Sequence, residues 1–292
     1  MKFSRAYVEI TNICGLSCSF CPPKESSTQT MELPFFETVL LELKPYTDEI
    51  ALHVMGDPMV LNNLTLYLDI AHRLGFKVMI TTSGFYLDGS RREALFHPAL
   101  RQINISLNSF NKNSVSRSFE AYMEPIVRLC DEKLSRGSDF FINLRLWNLD
   151  EMHSESAFNE RLFELLEKHF ALETGLIASQ ISGERQSIRL ASKILLHFDR
   201  YFEWPNLDNT TLTHGYCQGL GKQIGILVDG RVVPCCLDSE GVMELGNLSE
   251  TNLGKILSSK RAVAISDGFS QGICAEELCL KCRYKERFNK EV

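Results

Sequence analysis

Three cysteines near the N-terminus have the types and the spacing to bind a metal cluster. Cys14, Cys18 and Cys21 lie on one short stretch of chain. Three thiolates on one loop can hold three irons of a 4Fe-4S cluster and leave the fourth iron without a protein ligand. Such an iron can bind a small molecule and act on it. Zinc is the alternative, but it usually takes paired Cys-x-x-Cys units and four ligands, and no fourth ligand stands nearby in the sequence.

This cysteine pattern, which directly follows an apolar strand, resembles that of the radical S-adenosylmethionine (SAM) enzymes. The resemblance implies that the open iron chelates the amino and carboxylate groups of SAM. It also implies that one electron cleaves SAM to methionine and a 5′-deoxyadenosyl radical, which takes a hydrogen atom from the substrate. An external donor such as flavodoxin or ferredoxin would supply that electron. Phe20, the aromatic residue before Cys21, is expected to lie beside the adenine of SAM.

The composition is that of an ordinary globular protein. Of 292 residues, 44% are hydrophobic and 23% are charged, and 31 basic and 37 acidic residues give a net charge of −6. An acidic chain without a basic tract does not favour a nucleic-acid partner. The sequence has no apolar run long enough for a membrane span and no secretory pattern, so we expect a cytoplasmic protein without a membrane partner.

The ten cysteines are unevenly distributed. Three lie between residues 14 and 21, and six lie between residues 217 and 282. Between these groups stands Cys130, in a helical pattern where a small buried residue is expected. Clustered cysteines in a cytosolic chain indicate metal sites rather than disulfides.

The first part of the chain alternates strand and helix patterns, which predicts a parallel sheet covered by helices. Strands are predicted at Ala6–Ile13, Glu49–Met55, Lys77–Thr82, Gln102–Asn108 and Phe140–Trp147, with a sixth beginning at Ile188–Leu190. Helices are predicted at Pro34–Tyr46, Asn63–Leu74 and Asn159–Phe170. With the family resemblance, the expected fold is α/β: a partial (β/α)6 TIM-like barrel of the radical SAM type over residues 1–195. A linker at 196–215 and a small α+β module at 216–292 are expected to follow.

A short motif follows the predicted second strand. Met55-Gly56-Asp57-Pro58 resembles the Gly-Gly-Glu-Pro turn of the family, whose backbone and acid contact the amino group of SAM. Methionine replaces the first glycine, and the shorter aspartate replaces glutamate. The resemblance therefore supports the backbone contact more than the side-chain contact. On the residues alone, Gly-Asp-Pro is also an ordinary turn.

Polar residues end the next three predicted strands. Ser83 follows the third strand, and Ser106 and Asn108 end the fourth. They resemble family segments that reach the ribose and carboxylate of SAM, and hydroxyl and amide groups can bind both. Arg145 lies on the fifth strand. A basic side chain inside a barrel needs an anionic partner, and the SAM carboxylate would serve, although a salt-bridged or solvent-facing arginine is equally compatible.

The C-terminal part has a strong hairpin pattern. Gln223–Val228 and Arg231–Cys235 flank an Asp-Gly pair, which predicts a tight type I′ turn. Folding this hairpin would bring Cys217 close to Cys235. Cys279 and Cys282 follow as Cys-x-x-Cys. Four cysteines of this kind form either a structural zinc site or an iron-sulfur cluster.

The spacing of Cys217, Gly230 and Cys235 resembles the opening of the SPASM motif. Glu244–Leu248 and a helix that follows at Leu253–Leu257 also resemble that module. The tail has too few cysteines for two auxiliary clusters and fits the shortened twitch version, which carries one. The resemblance thus implies a fully ligated 4Fe-4S cluster on Cys217, Cys235, Cys279 and Cys282, with Cys274 as a substitute ligand.

A cluster with four protein ligands can accept an electron. In related dehydrogenases and maturases the substrate loses a hydrogen atom, a proton and then an electron, so the resemblance implies an oxidoreductase, dehydrogenase or maturase. This chemistry needs a base near the substrate. Asp238 is one such residue, although a surface acid in a turn is an equally ordinary reading.

Cys236 suggests a different reaction. A free thiol near a substrate radical can return a hydrogen atom, and related epimerases use a cysteine in this way; a buried packing role is the alternative. A third hypothesis is a non-enzymatic iron-sulfur or zinc protein. The sequence does not identify the substrate, which is expected to be a small molecule or a peptide. Because no leader-binding domain precedes the barrel pattern, a ribosomal peptide is slightly disfavoured.

Overall fold

The computed structural model describes residues 2–23, 26–147, 156–182, 186–200, 203–212 and 215–288. The strands are β1 (Arg5–Val8), β2 (Glu49–Ala51), β3 (Lys77–Thr82), β4 (Leu100–Ser106), β5 (Phe141–Leu146), β6 (Ser187–Ala191), β7 (Ile194–Phe198), β8 (Gln223–Ile226), β9 (Arg231–Val233) and β10 (Gly246–Asn247). The helices are α1 (Leu33–Leu43), α2 (Leu64–Arg73), α3 (Gly89–Ala94), α4 (Asn108–Asn111), α5 (Phe119–Ser135), α6 (Ser156–His169), α7 (Leu176–Ser182), α8 (Leu253–Leu257), α9 (Lys260–Ser270) and α10 (Glu277–Leu280). Two 3-10 helices span Pro58–Val60 and Arg283–Phe288.

The chain folds into two compact units. The first unit comprises Met1–Gly15, Phe20–Met79 and Phe202–Val292. Its strands follow the order β10-β9-β8-β1-β2 and then the first half of β3. β8 pairs in parallel with β1, from Arg5 opposite Gln223 to Val8 opposite Ile226. The C-terminal hairpin therefore extends the sheet that the N-terminal strand begins.

Helices α1 and α2 cover part of this sheet. α1 buries an apolar stripe of Phe36, Val39, Leu40 and Leu43, the periodicity of an amphipathic helix. The ring of Phe36 meets that of Tyr67 on α2 edge to face, with centroids 5.1 Å apart. This contact packs the two helices against each other.

The second unit comprises Leu16–Ser19 and Ile80–Tyr201. Its later strands follow the order β4-β5-β7-β6, in which β5 is parallel to β4 and to β7. The strand predicted at Ile188–Leu190 exists as β6, but it runs antiparallel to β7. The next parallel strand is β7, which the sequence analysis missed. A tight turn that includes Lys193, with φ of 56°, reverses the chain between the two strands.

The predicted C-terminal hairpin is present, but its turn differs from the prediction. β8 and β9 pair antiparallel, and Gly230 has φ of 89°, whereas Asp229 is not among the residues with positive φ. The Gly230 N–H donates to the Leu227 carbonyl at 2.9 Å, and the Leu227 N–H donates to the Arg231 carbonyl at 2.8 Å. This three-residue loop with a glycine bulge replaces the type I′ turn, because only the glycine takes the left-handed conformation.

In the described part of the chain, every helix is too short or too polar to cross a membrane.

Candidate active site

The loop that carries the first three cysteines is closed at its base by side chains. β1 ends at Val8, earlier than predicted, and the following residues bond to the far end of the loop instead. The Asn12 carboxamide accepts the Gln29 N–H at 2.7 Å and donates to the Ser27 carbonyl at 2.9 Å. The Thr11 hydroxyl donates to the Gln29 carbonyl at 3.0 Å. Both side chains are buried, so these bonds fix where the cysteine loop leaves the sheet.

The cysteines of this loop differ in their access to solvent. Cys14 is half-buried and Cys21 is exposed, and both belong to the first unit. Cys18 belongs to the second unit and is buried. Phe20 is half-buried. Cys21 is therefore the most accessible of the three thiols.

Gly56 lies against the backbone that leads into the cysteine loop. A Cβ atom at this position would stand 2.0 Å from the Thr11 carbonyl oxygen and 2.9 Å from the Asn12 Cα. The next N–H, that of Asp57, donates to the Ile13 carbonyl at 2.9 Å. Only glycine fits this close approach, so the turn after β2 and the start of the cysteine loop form one rigid contact.

Asp57 and Pro58 begin the 3-10 helix Pro58–Val60. The Asp57 side chain is buried, and its Oδ1 accepts the Met59 N–H at 3.0 Å. This is an N-cap, which accounts for one carboxylate oxygen through local structure. The contact of Asp57 with the amino group of SAM stays a prediction.

Glu9 is a buried acidic residue that no sequence motif singled out. Its carboxylate is buried at the end of β1; Oε1 accepts the Met55 N–H at 2.9 Å, and Oε2 accepts the Val228 N–H at 3.2 Å. One side chain thereby joins the turn after β2 to the C-terminal hairpin. A charged residue inside an otherwise apolar strand pattern is the signal that could have found it.

Ser106 and Arg145 lie together in the second unit. Ser106 is the register partner of Arg145 across β4 and β5, and Arg145 is the register partner of His197 on β7. Partners in a parallel ladder point to the same face of the sheet. The structure therefore places a hydroxyl, a guanidinium and an imidazole in one row near the carboxyl ends of three strands. His197 was not predicted, because β7 was not.

Asn108 and Ser83, the other predicted polar residues of this unit, form hydrogen bonds within the unit. The Asn108 Oδ1 accepts the Trp147 N–H at 2.7 Å, which ties the end of β4 to the end of β5. The Ser83 hydroxyl accepts the Phe85 N–H at 3.3 Å, and the Ser83 carbonyl accepts the Tyr122 hydroxyl at 2.8 Å. Both residues are buried, and their contacts with SAM stay predictions.

A cavity in the first unit is lined by all four cysteines of the predicted C-terminal set. Cys217 precedes β8, Cys235 follows β9, Cys279 lies on α10 and Cys282 follows it. No three His, Cys, Asp or Glu side chains of the described residues converge closely enough to hold a single metal ion. The four thiols instead surround a shared space. The hairpin and the short helix α10 thus bring together cysteines that are far apart in the sequence.

Burial raises the pKa of each of these four thiols. For Cys282 the pKa rises to about 11, and the pKa values of Cys217, Cys235 and Cys279 also rise, with neighbouring thiols adding to the effect. Thiolate ligands must lose their protons, so metal binding here releases protons. None of the ten cysteines, all of which are described, forms a disulfide.

Cys274, the predicted substitute ligand, has other partners. Its sulfur lies 3.8 Å from the Gly215 carbonyl oxygen, to which it donates, and it accepts from the Lys285 Nζ at 3.5 Å. Cys274 is not among the residues that line the cavity, whereas the four predicted ligands are. The set of four ligands without Cys274 stays a prediction.

Cys236 and Asp238 are close in sequence but lie in different surroundings. Cys236 packs with Tyr7 against a buried cluster of Val54, Leu227 and Val233, not on the four-cysteine cavity. Burial raises the pKa of the Tyr7 hydroxyl, and Cys236 adds to the rise. A thiol and a phenol thus stand side by side at the end of β1.

Asp238 is not a surface acid. It is 1% exposed, and its two carboxylate oxygens accept the N–H groups of Val242 and Met243, each at 2.8 Å. Burial raises the pKa of Asp238, while these two bonds oppose the rise. The Met243 sulfur in turn lies 3.3 Å from the Cys279 sulfur. Asp238 therefore shapes the cavity wall, and its role as a base stays a prediction.

Comparison with known proteins decides the family. Residues 8–154, about half of the chain, match the sequence profile of the radical SAM superfamily. The chain belongs to the radical SAM superfamily. Residues 217–283 match the SPASM iron-sulfur cluster-binding domain, which coincides with the four-cysteine cavity and its surroundings.

The relatives of this radical SAM protein include a curated peptide-modifying enzyme. The chain is 30% identical over 112 residues to the PqqA peptide cyclase of Gluconobacter oxydans (strain 621H), a match that covers 37% of this chain and 31% of that protein. The match thus spans about a third of that relative's length.

Solved structures share the fold. BtrN in complex with AdoMet and 2-DOIA matches with a TM-score of 0.60 and 16% identity, over 97% of this chain and 94% of that one. SuiB of Streptococcus suis bound to SAM matches with a TM-score of 0.64 and 13% identity, over 99% of this chain and 75% of that one. The predicted fold class, a partial TIM-like barrel with a C-terminal auxiliary-cluster module, is confirmed.

The residues present fit the cofactors of the family, which are SAM and 4Fe-4S clusters. The cysteine loop offers three thiols, and Gly56 lets the turn after β2 lie directly against the backbone that enters the loop. The C-terminal cavity offers four thiols around one space. The chemistry of both donor sets is therefore that of iron-sulfur ligation.

Proposed function

We propose that this radical SAM enzyme is an oxidoreductase or maturase that uses one auxiliary cluster as an electron acceptor. Cys14, Cys18 and Cys21 would hold the cluster that binds SAM. Cys217, Cys235, Cys279 and Cys282 would hold the auxiliary cluster. The observation that carries the proposal is the shared cavity of these last four thiols, because a second cluster with four protein ligands has no open iron for SAM and can accept an electron.

With SAM and an electron, a cluster held by Cys14, Cys18 and Cys21 would supply the radical chemistry that removes a hydrogen atom from the substrate. The chain's own residues bind and orient SAM. The backbone of Gly56–Pro58 would receive its amino group, and Arg145 with Ser106 would bind its carboxylate. The row that these two side chains share on the sheet supports this assignment. We further propose that Ser83 and Asn108 bind the ribose and that Phe20 lies beside the adenine.

The proposed reaction is a net oxidation of the substrate. The substrate loses a hydrogen atom to the radical, a proton to a base such as Asp238, and an electron that is accepted at the four-cysteine cavity. An external donor such as flavodoxin or ferredoxin supplies the separate electron that cleaves SAM. We place the protein in the cytoplasm, where reducing conditions keep cysteines out of disulfides.

The substrate is a peptide or a small molecule, and the relatives support both classes. The PqqA peptide cyclase is named for a peptide, and SuiB has also been solved with the precursor peptide SuiA. BtrN, which matches this chain along nearly its whole length, was solved with 2-DOIA. Incubation with candidate substrates from each class, followed by mass spectrometry, would show which one loses two hydrogens.

Iron counting tests the proposal directly. After anaerobic reconstitution we expect about eight irons and eight sulfides per chain, as two 4Fe-4S clusters require. Addition of SAM and a strong reductant should release 5′-deoxyadenosine. A count of about four irons per chain would contradict the auxiliary cluster. A fully loaded protein that forms no 5′-deoxyadenosine would contradict radical chemistry.

A redox-neutral epimerisation is the second proposal, favoured by the position of Cys236. Its thiol lies outside the four-cysteine set, beside Tyr7, and is half-buried, so it can act as a hydrogen-atom donor. In deuterated water an epimerase would place deuterium at the inverted carbon, and Cys236→Ala would abolish this incorporation. Cys130→Ala is the matched control, since Cys130 is buried on α5 and burial raises its pKa to about 12.

A further inference from the structure

Lys285 is a buried lysine on the wall of the four-cysteine cavity. It lies in the 3-10 helix Arg283–Phe288, three residues after Cys282, and is 2% exposed. A Cβ atom on Gly215 would stand 2.8 Å from its Cδ, so the aliphatic part of the side chain is tightly enclosed. Lysine is rarely buried in this way without a partner for its charge.

The ammonium group is held by neutral acceptors. Its Nζ donates to the carbonyls of Cys279 at 2.9 Å, Leu280 at 3.1 Å and Leu212 at 3.2 Å. It also contacts the Cys274 sulfur at 3.5 Å. Within the described residues, no carboxylate lies within 4.0 Å of this nitrogen. The hydrogen bonds satisfy the donors, and no carboxylate of the described residues balances the positive charge.

Four thiolates around the same cavity would provide that anionic partner. A ligated cluster carries negative charge, and each added electron makes it more negative. A fixed positive charge in a poorly solvated wall stabilises the more negative state by Coulomb attraction. Net charge and hydrogen bonds near the sulfurs are known determinants of cluster potential.

We propose that Lys285 is a positioning residue that raises the reduction potential of the auxiliary cluster, so that this cluster accepts the substrate's electron. The inference rests on the proposed function, since it presupposes the four-cysteine cluster. It deepens that function by naming the side chain that makes the auxiliary cluster the electron acceptor. Lys285 also orders the chain around two of the ligands, because it bonds the carbonyl of Cys279 and those of its neighbours.

The test measures the midpoint potential of the auxiliary cluster alone. A background in which Cys14, Cys18 and Cys21 are all alanine removes the other cluster. In this background we compare Lys285→Gln and Lys285→Met, which remove the charge, with Lys285→Arg, which keeps it. Lys133→Met is the matched control, because Lys133 is also a buried lysine, 3% exposed, that donates to the Ser192 carbonyl and does not line the cavity.

Loss of the charge should disfavour reduction about tenfold, which is a midpoint about 59 mV lower for a one-electron couple. Lys285→Arg and Lys133→Met should keep the potential of the background. Unchanged potentials in both neutral variants, with the iron retained, would overturn the inference and leave the proposed function intact. An absence of auxiliary iron in the background protein would instead overturn the proposed function.

The iron content of each variant tests the inference even when the neutral variants of Lys285 do not hold a cluster. If Lys285→Gln and Lys285→Met lose the iron while Lys285→Arg keeps about four per chain, the charge itself is required and the inference stands. If all three variants lose the iron while Lys133→Met keeps it, Lys285 acts through its shape alone, and the inference is wrong.

Discussion

The cysteine loop and the four-cysteine cavity bring their thiols together in different ways. The loop places its thiols close together in sequence, and Cys21 remains exposed. The cavity collects its thiols from the two ends of a hairpin and from α10, and burial raises the pKa of each one. A local loop with three ligands leaves room for SAM, whereas a cavity built by tertiary packing encloses its ligands.

The two regions also differ in what supports them. The loop depends on polar and close backbone contacts: the Asn12 carboxamide closes its base, and Gly56 lets the neighbouring turn approach. The cavity depends on buried ionisable side chains, namely Asp238 and Lys285. Substitutions should therefore affect the two clusters separately.

Removal of one cysteine from each region should give the largest separation. Cys18→Ala should reduce 5′-deoxyadenosine formation to background and lower the iron content by about four per chain. Cys279→Ala should lower the iron content equally but leave SAM cleavage measurable, because the open iron is on the loop. If Cys279→Ala also abolished SAM cleavage while the loop cluster was loaded, the two regions would not be independent.

Gly56→Ala should damage the loop without touching the cavity. The added Cβ would overlap the Thr11 carbonyl, which forces the turn and the loop apart at a cost of about 1–3 kcal/mol in unfolding free energy. We expect SAM cleavage to fall at least about tenfold, equivalent to about 1.4 kcal/mol. Gly89→Ala is the control, because a Cβ there meets nothing within 4 Å. Equal activity of the two variants would show that the close approach is dispensable.

Asp238→Asn should affect the cavity. An amide offers one oxygen, so either Val242 or Met243 loses its acceptor, at a cost of about 1–3 kcal/mol measured by urea unfolding. Iron retention should fall by up to four per chain, because Met243 contacts Cys279. Asp267→Asn, at an exposed site on α9, is the control. Full iron and stability with lost turnover would instead identify Asp238 as the base.

The smallest expected effect is a pH dependence of the apoprotein. Burial raises the pKa of the Cys282 thiol from an ordinary value near 9 to about 11, so between these values the folded state binds more protons than the unfolded state. The free energy of unfolding should therefore fall as pH rises from about 9 to about 11. The cluster-loaded protein should lack this contribution, because its thiols carry no protons. Identical pH profiles for the two forms would contradict the burial of these thiols.

The sequence predicted elements whose signals are local. The bounds of β3 and of α8 coincide with the predicted ones, and the three-cysteine spacing led to the correct family. The hairpin was predicted correctly, but its turn type was not, because Asp229 does not take positive φ. The type of a tight turn depends on the register of the two strands, which a dipeptide does not encode.

The sequence by itself determined which thiols can form each set, since spacing along the chain decides which ligands a loop or a Cys-x-x-Cys unit can present together. Only the tertiary structure decided that Cys236 packs with Tyr7, away from the cavity, and that a buried lysine joins the cavity wall. These relations depend on contacts between residues far apart in the chain. Packing and burial select such contacts, and neither composition nor periodicity records them.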